Sequence, residues 1–177
     1  MTPNDSILCQ TISNISLIDE LSNEDFLNSD YYKKLNWTCG DSNANNIRRI
    51  LDASGLGNPA MLQMFMYSLL VMPKELLGND YCKDKFNSVA QKYVSFYQSS
   101  YPNESGKANV NYYRHIRNAV AHSKCEYSVE NKVCYVTFSD CDKRNNYNCM
   151  IRFSTMDVGK LFELLMSELM AVLNRTC

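Results

Sequence analysis

Apolar residues recur along this chain at helical spacing up to about residue 122, alternate with polar ones from 126 to 153, and then return to helical spacing. The change of period from 3.6 to 2 and back predicts helices, then a few strands, then a last helix. Ile47, Ile50 and Leu51 mark one helix, capped by Asn43 or Asn45 and stopped at Gly55-Leu56-Gly57. Asn58-Pro59 opens the next, since proline suits a first turn. Its apolar set of Leu62, Phe65, Met66, Leu69 and Leu70 predicts deep burial, and Pro73 should end or kink it. A third helix is expected from Asp80, with the stripe Phe86, Val89, Ala90, Tyr93, Phe96 and Tyr97. The turn-rich run Ser99 to Gly106 reads as a loop. A helix from about Ala108 to His122 follows, and then three short strands, 126–129, 133–138 and 147–153. Glu130-Asn131-Lys132 reads as a turn and 139–146 as a loop. Ser154-x-x-Asp157 resembles a capping box and starts the last helix, whose core face is Val158, Leu161, Phe162, Leu165, Leu169 and Val172.

The first 40 residues are polar and weakly periodic. Leu17, Ile18 and Leu21 predict a short helix, and Phe26, Tyr31, Tyr32, Leu35 and Trp37 could pin the segment to the core. It reads as an ordered extension, 1–40, ahead of a helical domain at 41–177.

Chemistry concentrates in Arg117-Asn118-Ala119-Val120-Ala121-His122, with Arg114 and His115 just upstream. At about 100° per residue, Arg114, Arg117, Asn118, Ala121 and His122 share a polar face, opposite Tyr112, Tyr113, Ile116, Ala119 and Val120. Phosphodiester cleavage requires a fixed positive charge for the phosphate and a group that moves protons near neutral pH. Arginine and histidine supply these. Arg117 and His122, however, lie roughly 140° apart around the helix. For both to serve one site, the helix must unwind near Ala121 or a second copy of the chain must contribute. His115 falls toward the apolar edge and reads as structural.

The string His115-Ile116-Arg117-Asn118-Ala119-Val120-Ala121-His122 resembles the motif of the HEPN superfamily, in which an arginine and a polar residue precede a histidine by a short gap on one helix of a small bundle. The resemblance is carried by residues 108–124, extends over 43–175 and does not reach the first 40. It implies a mainly α fold, a HEPN-like helical bundle, with a small antiparallel β insertion between the motif helix and the C-terminal helix. It also implies a metal-independent endoribonuclease, of the kind found among toxins and abortive-infection effectors, working as a homodimer on RNA and in some systems held by an antitoxin. In that reading Arg117, Asn118 and His122 are catalytic, Arg114 and Lys124 bind the substrate, and no cofactor or metal is needed. The alternative is a non-catalytic dimer that binds a protein or a nucleotide through the same face.

Composition narrows these readings further. With 18 Lys+Arg against 19 Asp+Glu the net charge is −1, which excludes a broadly basic nucleic-acid binder. RNA contact must rest on a local patch. The eight cysteines do not form a disulfide framework on this reading, because the N-terminus shows no secretory signal and a cytoplasmic location is expected. His122-x-x-Cys125 with Cys134 and Cys141 or Cys149 offers zinc ligands, but no Cys-x-x-Cys pair accompanies them. Asp140-x-Asp142 lacks the Gly-Ser element of a nucleotidyltransferase and reads as a solvated turn. No apolar run is long enough to span a membrane.

Overall fold

The structure is a computed structural model that describes residues 2–174. Cys177, the last of the eight cysteines, lies outside the described residues. The helices are α1 (Pro3–Asn23), α2 (Asp30–Lys34), α3 (Asp41–Ser54), α4 (Pro59–Met66), α5 (Met72–Leu77), α6 (Lys83–Tyr93), α7 (Tyr112–Ala121) and α8 (Thr155–Leu173). The strands β1 (Phe96–Ser99), β2 (Cys125–Glu130), β3 (Val133–Asp142) and β4 (Tyr147–Ser154) form one antiparallel sheet in the order β1-β4-β3-β2. The fold is mainly α with a small antiparallel sheet. Helix α7 lies between the layers, packing on β3 on one side and on α6 and the α4–α5 junction on the other.

Several boundaries follow local chemistry. Gly55, at φ 73°, stops α3, and the Asn58 side chain accepts a hydrogen bond from the Met61 N–H to start α4. Ser154 caps α8 by accepting from the Asp157 N–H, while its own hydroxyl donates to the Asp157 carboxylate at 2.6 Å. Asn131 and Lys132, both at positive φ, make the two-residue turn between β2 and β3.

Pro73 does not end its helix. The chain widens into one π-helical turn, Tyr67–Val71, and continues as α5. Proline cannot donate to the Leu69 carbonyl one turn earlier. The Tyr81 hydroxyl does so instead, at 2.8 Å, from the segment after α5.

Other expectations are corrected. The short helix around Leu17 is in fact the 21-residue α1, whose buried face is Leu8, Ile12 and Ile15, while Leu17 is exposed. These three residues join the same core as α4, α6, α7 and α8, so the core draws on both sides of residue 40. Phe96 and Tyr97 continue the α6 stripe in sequence but belong to β1, because Val94 turns extended and Phe96–Ser99 pairs with Arg152–Cys149 of β4. One strand therefore precedes α7, and the sheet is not confined to the segment between α7 and α8. Strand β3 runs on through Asp140 to Asp142, beyond the expected end at Phe138, because that stretch pairs with Cys149–Tyr147.

Candidate functional site

Helix α7 begins at Asn111, whose side chain accepts from the Arg114 N–H. Its apolar side, Tyr112, Tyr113, Ile116, Ala119 and Val120, is buried, and the Tyr113 ring meets Phe86 edge-on at 5.4 Å. The helix ends in a Schellman turn. The His122 N–H donates to the Asn118 carbonyl, the Ser123 N–H to Val120 and the Lys124 N–H to Ala119. Ser123 takes the left-handed position at φ 52°, where glycine is the usual residue. The helix thus stops at Ala121, and His122 stands exposed at its end.

The predicted site residues separate into two groups. Arg114, Asn118 and His122 line one shallow depression of about 410 Å³ together with Tyr101, Asp140, Cys141, Asp142, Lys143 and Arg144. Arg114 lies over the Tyr101 ring, 5.3 Å from its centre. Lys143 and Arg144 enter from the β3–β4 turn, which Asp142 organises by accepting from the Arg144 and Asn145 N–H groups. Neither was anticipated, since a charged turn gives no sign in sequence of where it folds back.

Arg117 and Lys124 are directed elsewhere. The Arg117 Nη1 donates to Asp80 at 2.9 Å, where Lys74 also pairs at 3.3 Å, and its Nη2 donates to the Asn118 Oδ1 at 3.3 Å. Those two bonds leave three of its five N–H donors uncommitted. Lys124 points its ammonium at the Cys141 sulfur, 2.8 Å away, and lines a separate groove with Ser99, Ser100, Asn148 and Cys149.

Directly behind the depression His115 is almost fully buried, with 1% of its surface exposed. Its Nδ1 lies 2.7 Å from the Asp140 Oδ2, and its Nε2 lies 2.8 and 3.0 Å from the two oxygens of Glu104. Burial alone would raise the Glu104 carboxyl. The His115 ring, the Ser99 hydroxyl and the Asn111 N–H outweigh it and hold the carboxyl below the usual range. Asp140 is likewise held down, as hydrogen bonds from His115 and Asn118 overcome its burial. The Asn118 amide donates to the same Asp140 oxygen at 3.2 Å, linking this cluster to the depression.

Asp140 is therefore no solvated turn residue. Period-2 alternation places it on the inner face of β3 with Val136 and Phe138, and all three are buried. Continuing that alternation two residues further would have found it. Glu104 had no such signal, because it sits in the loop before α7.

Among the described residues, one group of histidine, cysteine and acidic side chains has ligand atoms close enough to hold a metal ion: Glu104, His115 and Cys149. The zinc set considered from sequence, around His122 and Cys125, is not assembled. No helix among the described residues is long and apolar enough to cross a membrane.

Neither a curated protein nor a solved structure gives a match to this chain. A family model described as HEPN pEK499 p136 matches residues 1–174, including the first 40, where the sequence alone showed no resemblance. With nearly its whole length matched, and the Arg117-to-His122 segment standing at the exposed end of α7, the chain belongs to this HEPN family.

Proposed function

We propose that this protein is a metal-independent endoribonuclease that cleaves RNA by attack of the 2′-hydroxyl on the adjacent phosphate. The observation that carries the reading is the exposed His122 on the α7 Schellman turn, in one depression with Arg114, Asn118, Lys143 and Arg144. His122 serves as the proton-transfer group, a role suited to imidazole near neutral pH. Arg114, Lys143 and Arg144, set against Asp140 and Asp142, give the depression a local excess of positive charge in a chain of net charge −1. Lys124, in the neighbouring groove, extends this patch along the RNA backbone. Arg117 grips the phosphate through the donors that Asp80 and Asn118 leave uncommitted, and Asn118 orients the site from its anchor on Asp140.

Two copies of α7 meeting in a homodimer would set the Arg117 of one protomer beside the His122 of its partner. That arrangement answers the separation of the two side chains around one helix. The alternative, a non-catalytic binding module, draws on the ion pair that turns Arg117 toward Asp80.

The test is product chemistry. Purified protein incubated with RNA in EDTA should leave a 2′,3′-cyclic phosphate on the upstream fragment, and a 2′-deoxy substitution at the scissile position should block cutting. Strict dependence on a divalent ion with 5′-phosphate products would overturn the mechanism. Absence of any cleavage by a protein that dimerises would favour the binding module.

A further inference from the structure

Glu104, His115 and Cys149, buried behind the depression, are not used by the reading above, and their chemistry does not depend on that reading. With a proton placed on the Nδ1 of His115, shared with Asp140 at 2.7 Å, Nε2 is the nitrogen left facing Glu104. A neutral ring would then aim the lone pair of Nε2 at both oxygens of Glu104, 2.8 and 3.0 Å away. Acceptor facing acceptor at that distance is repulsive, so a positive centre must lie between them. It is either a second proton or a metal ion.

Cys149 favours the metal. Its sulfur, the His115 ring nitrogen and a Glu104 oxygen all lie within 4.8 Å of one another, although they come from β4, α7 and the loop before α7. A borderline-soft cation takes this mixed set of nitrogen, oxygen and sulfur ligands. We propose that Glu104, His115 and Cys149 form a zinc site.

Asp140 on the far ring nitrogen then has the part a carboxylate plays behind a zinc-bound histidine, fixing the tautomer and the ring plane. The Ser99 hydroxyl, donating to the Glu104 Oε2 at 2.7 Å, steadies the carboxylate in the same way. Ser99 and Cys149 also line a groove of about 390 Å³ on the outer side of the cluster. Typical zinc bonds of about 2.0 Å to nitrogen and oxygen set those atoms about 3.3 Å apart. The His115–Glu104 pair must open by about 0.5 Å, and the Cys149 sulfur, within 4.8 Å of both ligand atoms, must settle at about 3.5 Å from them. Binding releases the Cys149 thiol proton, and any proton on Nε2, to solvent.

Titration of the metal-free full-length protein with cobalt(II) and with zinc tests the site. One equivalent of cobalt should give tetrahedral d–d bands and a thiolate-to-cobalt band in the near ultraviolet, and zinc should displace it. Cys149→Ser should lose the thiolate band, Asp140→Asn should weaken zinc binding about 10- to 100-fold, and His122→Ala should change neither. Nitrogen NMR of the wild-type ring decides the matter even where a variant fails to fold. Zinc should remove any proton from the Nε2 of His115 and shift its resonance. A proton that stays on Nε2 in excess zinc, or cobalt bound without the thiolate band, overturns the proposal.

Discussion

His115 and His122 occupy the same stripe of α7, two turns apart and about 20° from each other on an ideal helix, yet their surroundings are opposite. His115 is sealed under Tyr101, whose ring centre is 4.8 Å from its own, and held by two carboxylates. His122 is exposed at the helix end. The 20° does not separate them. What differs is the covering supplied from elsewhere in the chain: the loop that carries Tyr101 and Glu104, and the core-facing Asp140 of β3. Over His122 no such cover lies, because the Schellman turn has already led the chain away into β2. Helical position thus decides which way a side chain points, and long-range packing decides whether it meets solvent.

The sharpest break in this comparison comes from removing each histidine in turn. His122→Ala should lower RNA cleavage by about 10²- to 10⁴-fold, the usual contribution of a proton-transfer group, while stability changes by no more than about 0.5 kcal/mol. Rate assays with thermal unfolding on the same sample check both halves, and cleavage at the wild-type rate would remove His122 from the mechanism.

His115→Leu should do the reverse in kind. It leaves Glu104 and Asp140 buried without their shared partner, a loss of about 3–5 kcal/mol. For a chain of this size that lowers the melting temperature by about 10 °C. If both variants melt within a degree of the native protein, the distinction between the buried and exposed histidines fails.

Arg117→Ala sits between the two. It removes the pair with Asp80, which is half-exposed and keeps Lys74, so the stability loss should be at most about 1 kcal/mol. Cleavage should fall far more than stability. A loss of several kcal/mol with cleavage retained would make Arg117 a structural residue and favour the binding module. The smallest effect belongs to the turn that exposes His122. Ser123→Gly relieves the left-handed conformation at φ 52° but makes the unfolded chain more flexible, and the net gain should be about 0.5 kcal/mol by urea unfolding. Destabilisation there would show that the Ser123 side chain holds the turn in some other way.

Much of the architecture was legible in the chain because it rests on local chemistry. The stop at Gly55, the start at Asn58-Pro59, the cap at Ser154 and the period-2 strands all depend on residues a few positions apart, and each stands in the structure. The Arg117-to-His122 motif was legible for the same reason, as was the opposition of polar and apolar faces on α7. The chain by itself determined a mainly α fold with a small sheet and a HEPN-type motif at a helix end. Tertiary structure decided the rest. Only pairing with β4 makes Phe96 and Tyr97 a strand, and only packing against α7 turns Asp140 from a polar residue near a turn into the buried partner of His115. Arg117 faces Asp80, 37 positions away, for a related reason. Hydrogen bonds and ion pairs between distant segments depend on which side chains the core brings within about 3 Å of each other, and no local spacing encodes that distance.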